Sequence, residues 1–454
     1  MLKELLSYLE DKKILILGFG KEGKSTYSFL RKNFPEKKLF VADKNTELLE
    51  NNKELIEDID LEVSLGEEYL NGIEEYDLII KAPGISFKGL DISKFEAKIS
   101  SQLELFLEYF DVKTIGITGT KGKSTTSTLM YTILKEQNKE SFLVGNIGEP
   151  IFNDIEQMTK NSIVVIELSS HALQYVKKSP NISILLDIYE EHLDHYDSLE
   201  KYIEAKFNVA KFQKADDFFI YNANNLLMKE YNFEFYKAHD YKIIFDENEN
   251  NTNGNKVYIK NECIYCNDES VMMVNQKMNL KGMHNIGNIM FLIGVCDILN
   301  LDKKQMIETI SNFNPLEHRM EFVANVDGVD YYNDSIATIP ESTINSIEAI
   351  KNIGTLIVGG KDRGINLSSF YEYLKNSDIS NIICLHKTGE YIYSELEKSD
   401  KKIYKTNDLK EAVEIAKKVT EKGKACLLSP AAASYGYFKN FEERGNLFKK
   451  YVKE

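Results

Sequence analysis

Residues 12–45, KKILILGFGKEGKSTYSFLRKNFPEKKLFVADKN, set a pattern that the rest of the chain repeats. An apolar run ends at a glycine turn, a stretch with helical spacing follows, and a second apolar run closes at Asp43. That is the order of a βαβ unit. Further apolar runs at Leu78–Ile80, Ile115–Thr118, Ile163–Ile166 and Ile182–Leu186 alternate with helical stretches, which predicts an α/β protein. Near Asp111 the helical LELFLEYF gives way to the strand-like VKTIGITGT, and after the helix predicted at 284–299 and FNPLEHRMEF a strand begins at VDYYND. These changes divide the chain into 1–111, 112–314 and 315–454. The expected architecture is a Rossmann-like first domain, a central phosphate-loop mononucleotide-binding α/β domain and a Rossmann-like C-terminal domain. The Asn-rich DENENNTNGNK at 246–256 reads as an exposed loop, and no fixed repeat is evident.

Composition agrees with that division and narrows the partners. At roughly 150 residues per domain, 454 residues predict about three. Acidic residues outnumber basic ones 71 to 56, a net charge of −15, which argues against nucleic acid as a partner. The N-terminal MLKELLSYLEDKK breaks its apolar residues with charges and no run of about 18 apolar residues occurs, so a cytoplasmic protein with no membrane partner is expected. Five scattered cysteines suit a reducing compartment. Cys263 and Cys266 have metal-like spacing but no second pair, and VYIKNECIYCND reads better as a hairpin.

The most informative segment is TIGITGTKGKSTTSTLMYTIL. A strand ends at Gly116–Thr118; Gly119, Thr120, Lys121 and Gly122 form a turn; Lys123, Ser124 and Thr125 open a helix. Glycines let backbone N–H groups approach phosphate oxygens, the helix N-terminus adds partial positive charge, the lysine reaches the terminal phosphates, and Ser124 is placed to bind magnesium. Position 117, where the usual phosphate loop has its first glycine, is Ile117, so this is a shorter variant. The N-terminal GFGKEG is weaker; with Asp43 as a ribose-binding acid it would make an oxidoreductase the rival reading.

Three later segments bear magnesium-binding groups. The strand in SIVVIELSSHALQ ends at Glu167, at the carboxyl edge of the sheet beside the phosphate loop. In ILLDIYEEHLDHYDS a buried strand is followed by Glu190, Glu191, His192, Asp194 and His195, a ligand cluster or a solvated acidic turn. In DSLEKYIEAKFNVAKF, Leu199, Ile203, Lys206 and Ala210 share one helical stripe opposite Glu200, Glu204 and Asn208. A lysine on an apolar face snorkels to the surface, or it is modified, paired or near a metal. One modification is carbamylation by carbon dioxide, which yields an anionic oxygen ligand.

GTKGKST, ELSS at 167–170, EEHLDHY at 190–196 and AK at 205–206 resemble the ATP-dependent Mur ligases of peptidoglycan synthesis. So do KGMHNIGN, EHRME, YYNDSIATIPEST, IVGGKDRGINL and SPAAASYGYFKNFEERGNLF, and the resemblance covers nearly the whole chain, nearest to the branch that adds D-glutamate to UDP-N-acetylmuramoyl-L-alanine. It implies that Gly18, Gly20 and Gly23 hold uridine diphosphate rather than a dinucleotide, with Asn146 on the same substrate. It implies that Lys123 and Ser124 bind ATP and one magnesium with Glu167, and that His192 with carbamylated Lys206 binds a second. Asn288, Arg319 and Asp334 correspond to adenine, phosphate and ribose contacts, and Thr338, Arg363, Ser434 and Phe441 to the pocket for the incoming amino acid.

The implied reaction activates the alanyl carboxylate as an acyl phosphate, which the amino group of glutamate then attacks; catalysis is assigned to Lys123, His192 and Lys206. The implied partners are these small molecules, taken by a monomer. Ile336 stands where the family often has lysine, Glu191 where it has Asp, and His171-Ala172 where an aromatic-Gln pair is common. The first change removes a cation from the amino-acid pocket, which leaves D- and L-glutamate both open, with Lys361 and Arg363 able to compensate. A folylpolyglutamate-synthase-like ligase and a non-ligating nucleotide-binding regulator are the other readings.

Overall fold

The computed structural model describes residues 1–50, 52–188, 196, 198–225, 237–245, 254–280, 282–314, 317–350, 352–362 and 367–454. Glu190, Glu191, His192, Asp194, His195 and Arg363 lie outside the described residues, as does most of the Asn-rich stretch. The chain divides into two compact units, Met1–Phe313 and Asn314–Glu454.

The first unit contains two sheets. Strands β1 (Ile14–Leu17), β2 (Leu39–Asp43), β3 (Leu61–Leu65), β4 (Leu78–Lys81) and β5 (Ile99–Ser100) form a parallel sheet in the order β3-β2-β1-β4-β5. β1 and β4 are buried along their whole length, which explains the apolar runs Ile14–Leu17 and Leu78–Ile80. The helix Lys21–Asn33 leaves the glycine turn after β1 and returns the chain to β2.

The second sheet has β6 (Lys113–Thr118), β7 (Ser141–Gly145), β8 (Ile163–Glu167), β9 (Ile182–Leu185), β10 (Phe218–Asn222), β11 (His239–Ile244), β12 (Asn255–Lys260), β13 (Cys263–Cys266) and β14 (Glu269–Met273), in the order β14-β13-β12-β11-β10-β9-β6-β8-β7. It is parallel from β7 to β12 and ends in an antiparallel meander. The turn between β12 and β13 is Asn261-Glu262, both at positive φ, the backbone a two-residue hairpin requires. Asn255 and Lys256, expected in a loop, open β12 because Gly254 at φ +98 turns the chain into the sheet. Along β13 Ile264 and Cys266 are buried while Cys263 and Tyr265 are half-buried, so the two thiols face opposite sides of the strand. One apolar cluster runs from Leu5, Ile16, Leu30 and Phe106 to Val144, Ile166, Leu168 and Phe207, so the two sheets share a core. Each such side chain contributes roughly 1.5–3 kcal/mol by burial.

In the second unit, β15 (Glu321–Val326), β16 (Val329–Asn333), β17 (Ile353–Gly359), β18 (Asn381–Leu385), β19 (Lys402–Thr406) and β20 (Ala425–Leu428) form a sheet in the order β15-β16-β20-β17-β18-β19, parallel except for the β15–β16 hairpin. Among the described residues no helix is long and apolar enough to cross a membrane.

Candidate active site

β6 lies between β9 and β8, and the glycine turn leaves its carboxyl end. Such an edge is where a parallel α/β sheet presents loops to ligands. Gly122 caps the helix Lys123–Glu136 at φ +84, and a side chain there would place its Cβ 2.5 Å from Asn288 Oδ1, so both conformation and space demand glycine. Thr120 is fixed twice: its N–H donates to the Asp187 carbonyl at 2.8 Å, and its hydroxyl lies 2.9 Å from Tyr202 Oη. The turn is therefore held from the segment that follows β9 and from the helix Leu199–Lys211.

Two lysines converge on this turn. Lys123 Nζ donates to the carbonyls of Gly119 at 3.0 Å and Thr120 at 2.9 Å. Lys206 Nζ donates to the same Gly119 carbonyl at 2.8 Å, so the two nitrogens are less than about 6 Å apart. Lys206 is 2% exposed, and its nitrogen lies 4.8 Å from the centre of the Tyr202 ring. The helix buries Tyr202, Ile203, Ala205, Lys206, Phe207, Val209 and Ala210, a face wider than the stripe expected from spacing, and a lysine in its middle has no route to the surface. Ser124 and Thr125 are buried in the first helical turn, Lys123 is half-buried and Lys121 exposed.

Glu167 ends β8 opposite Ile117 of β6 and is 1% exposed. Its Oε1 accepts from Asn146 Nδ2 at 2.6 Å, and the Asn146 N–H donates to the Glu167 carbonyl at 3.0 Å. Oε2 is buried without a hydrogen-bond partner. A buried carboxylate oxygen in that state is costly unless a cation or donor arrives. Among the described residues no three His, Cys, Asp or Glu side chains gather around one point. Asn146 and Glu167 line a cleft with Glu22, Lys81, Ser100, His171 and Tyr175, contributed by both sheets of the first unit.

At the other glycine turn, a Cβ on Gly23 would fall 2.0 Å from the Gly18 carbonyl oxygen, so glycine permits the tight turn. Asp43 is already engaged there: Oδ2 accepts from the Phe19 N–H at 2.6 Å and Oδ1 from the Asn45 N–H at 2.8 Å. The acid proposed to read a ribose in the rival scheme braces its own turn. Glu22, in the first turn of the following helix, is pushed up by burial to about 7, an effect that the charge of Lys81 opposes. Lys81 is pushed down by burial to about 8, opposed by Glu22. Neither was singled out by sequence; the available signal was a lysine ending a fully buried strand.

In the second unit Asp334 follows β16 and is 2% exposed. Its carboxylate accepts from Ser346 Oγ at 2.6 Å, Ser429 Oγ at 2.7 Å and the Met320 N–H at 3.2 Å, tying three segments together. Burial raises it to about 6, opposed by Ser346, Ser429, Met320 and Arg319. A ribose hydroxyl would have only the acceptor capacity that these donors leave. Arg319 and Thr338 are half-buried. Ser434 is 5% exposed, and its carbonyl accepts from the N–H groups of Tyr437 and Phe438. Phe441 opens the helix Phe441–Lys453, and its carbonyl accepts from Ser335 Oγ at 2.8 Å. Arg444, fully buried, was missed because an arginine in a polar helix start reads as solvated. It donates to Ser335 Oγ, the Ser335 carbonyl and the Ala432 carbonyl, bracing the segments that carry Thr338 and Ser434.

A three-sheet α/β chain with a short phosphate loop and a buried lysine against it has the fold of solved Mur ligases. The UDP-N-acetylmuramate–alanine ligase MurC from Thermotoga maritima superposes with a TM-score of 0.57 at 17% identity, covering 97% of this chain and 99% of that one. The MurF ligase from the same organism, solved with ADP, gives 0.56 at 15% identity over 98% and 96%. Family models match as well, the Mur ligase middle domain over 117–296 and the Mur ligase glutamate ligase domain over 318–432. The UDP-N-acetylmuramoylalanine–D-glutamate ligase of Clostridium tetani is 34% identical over 99% of this chain and 98% of its own, and that of Clostridium kluyveri 35% over 98% of each. The chain belongs to the Mur ligase family.

Proposed function

We propose that this protein joins glutamate, in its D form, to UDP-N-acetylmuramoyl-L-alanine at the expense of ATP, a cytoplasmic step of peptidoglycan synthesis carried out by a monomer. The observation that carries the reading is the approach of Lys123 and Lys206 to the Gly119 carbonyl, on the sheet edge where Glu167 holds an unpaired oxygen. The D configuration is supported by the name that relatives bear over nearly their whole length. The three sheets divide the work: 1–111 takes the UDP end of the sugar nucleotide at Gly18, Gly20 and Gly23, 112–314 takes ATP, and 315–454 takes the amino acid at Thr338, Arg363, Ser434 and Phe441.

A carboxylate is a poor electrophile, so the alanyl carboxylate attacks the γ-phosphorus of ATP in line, and ADP leaves. The acyl phosphate is then attacked by the neutral amino group of glutamate, and phosphate departs as the amide forms. Lys123 and the N–H groups at the start of its helix hold phosphate oxygens through both steps. Asn288, Arg319 and Asp334 orient the nucleotide.

The site also fits magnesium, because the unpaired Glu167 oxygen is a buried anion lacking a partner. Ser124 and Glu167 would hold one ion, and His192 with a carbamate on Lys206 a second; when bound, they neutralise charge on the transferring phosphoryl group. Carbamylation needs the neutral amine, and Lys206 is buried with its nitrogen on the same carbonyl as that of Lys123. Carbon dioxide adds to that amine, an N–C bond forms, and one proton is released. The decisive experiment incubates the protein with ATP, magnesium, UDP-N-acetylmuramoyl-L-alanine and each enantiomer of glutamate. Phosphate and one product mass with D-glutamate are expected; no release with either enantiomer overturns the reading.

A further inference from the structure

Lys81, the last residue of β4, is 4% exposed, so its ammonium is almost out of water, where a charge is stable only with strong partners. Its contacts are thin. It donates to the carbonyls of Ala82 at 3.2 Å and Pro83 at 3.4 Å and lies 5.6 Å from the centre of the Tyr175 ring. Glu22 acts on it as a charge, without an ion-pair contact among the described residues.

Lys81 is the one lysine or arginine among the described residues of the cleft wall, which also carries the carboxylates of Glu22 and Glu167. An anion entering such a cleft is repelled unless a cation answers it. The segment after Lys81 also lies on the first glycine turn: the Ala82 N–H donates to the Leu17 carbonyl at 2.8 Å, and a Cβ on Gly18 would meet Ile85 at 2.8 Å. One wall therefore links the glycine turn, Lys81 and the Asn146–Glu167 pair.

We propose that Lys81 is a specificity-determining contact for the sugar nucleotide, its ammonium binding an anionic oxygen of that substrate, while Glu22 answers the charge of Lys81 when the cleft is empty. The inference rests on the sugar-nucleotide reading of this cleft. The oxygen belongs to the diphosphate or to the alanyl carboxylate, and the two sources separate in the test.

Calorimetry with UDP and with UDP-N-acetylmuramoyl-L-alanine on wild type, Lys81→Met, Lys81→Arg and Glu22→Gln decides it, alongside kinetics. Lys81→Met is expected to weaken the full substrate by roughly tenfold to a hundredfold, the range of a charged hydrogen bond, with the affinity for ATP nearly unchanged. Lys81→Arg recovers part of the loss. Parallel weakening of UDP assigns the diphosphate; UDP binding left intact assigns the carboxylate. Glu22→Gln is expected to tighten the substrate a few-fold, because the ammonium is no longer shared. Unchanged substrate affinity in Lys81→Met, or a matching loss of ATP affinity that reports general damage, overturns the assignment of Lys81. Weaker binding in Glu22→Gln overturns the part given to Glu22. No binding of either ligand by wild type overturns the cleft reading itself, and this inference with it.

Discussion

Asn146 holds Glu167 by side chain and by backbone, with Nδ2 2.6 Å from Oε1 and its N–H 3.0 Å from the Glu167 carbonyl. One carboxylate oxygen is thereby fixed and the other left over. If Oε2 is a magnesium ligand, Asn146 acts on the metal through the carboxylate, and removing such an outer partner typically costs 10–100-fold in metal affinity. Asn146→Ala is expected to raise the magnesium concentration for half-maximal activity by roughly that factor. A magnesium titration of the variant checks it.

Lys123 and Lys206 share a carbonyl but have different tasks in the proposal, and loss of each is expected to look different. Lys123→Ala removes a phosphate contact and should abolish turnover without recovery. Lys206→Ala should also abolish it, with partial return on adding short carboxylic acids, which supply the oxygens the carbamate would have provided. Carbon-13 NMR of enzyme equilibrated with labelled bicarbonate at neutral pH gives a second readout, since a carbamate sheds carbon dioxide in acid. Active enzyme without a carbamate carbon signal removes the carbamate.

Much of this site could be read along the chain because its parts are consecutive. The glycine turn, the strand ending at Glu167 and the stripe holding Lys206 each declare themselves within a dozen residues, since an apolar run must end where a turn begins and a lysine among apolar neighbours breaks a pattern. What escaped was through-space. Glu22 and Lys81 belong to different elements and become neighbours only when β1 and β4 pair. β15 escaped for another reason: its residues are half-buried or exposed throughout, so EFVANV lacks the apolar run of an interior strand. Arg444 needed the return of the last helix onto the Ser335 and Ala432 segments.

Arg444 is buried against neutral acceptors, and burial lowers it to about 9. Arg444→Met leaves the carbonyls of Ser335 and Ala432 short of donors in a closed interior, a loss of about 2–4 kcal/mol for several unpaired groups. Chemical denaturation should show that loss. Lys cannot reproduce the planar fork, so Arg444→Lys should recover only part of it.

Gly122→Ala tests whether the phosphate loop tolerates any side chain. At φ +84 the substitution costs about 1 kcal/mol of backbone strain, and the new methyl would meet Asn288 Oδ1 at 2.5 Å. The loop or Asn288 has to move, and both are assigned to ATP. ATP affinity should fall at least tenfold, measured by calorimetry, while affinity for the sugar nucleotide stays near wild type.

Asp334 supplies the pH prediction, and its sign follows from its surroundings. Burial raises its carboxyl from an ordinary 3.8 to about 6, despite the donors of Ser346, Ser429 and Met320. The folded protein therefore binds this proton more tightly than the unfolded chain does. The associated stability is fully present below about pH 4 and is lost as pH rises through about 6, a change of about 3 kcal/mol. Other carboxylates titrate over the same range, so the measurement has to be a difference. Asp334→Asn keeps the shape and removes the proton, and the serine hydroxyls can turn to accept from the new amide. Unfolding free energies of wild type minus Asp334→Asn, taken from pH 4 to 7, should fall with rising pH and level off above about 6. A flat difference would mean that the carboxyl is ionised across the whole range, which would leave Arg319 and the three donors as the stronger influence.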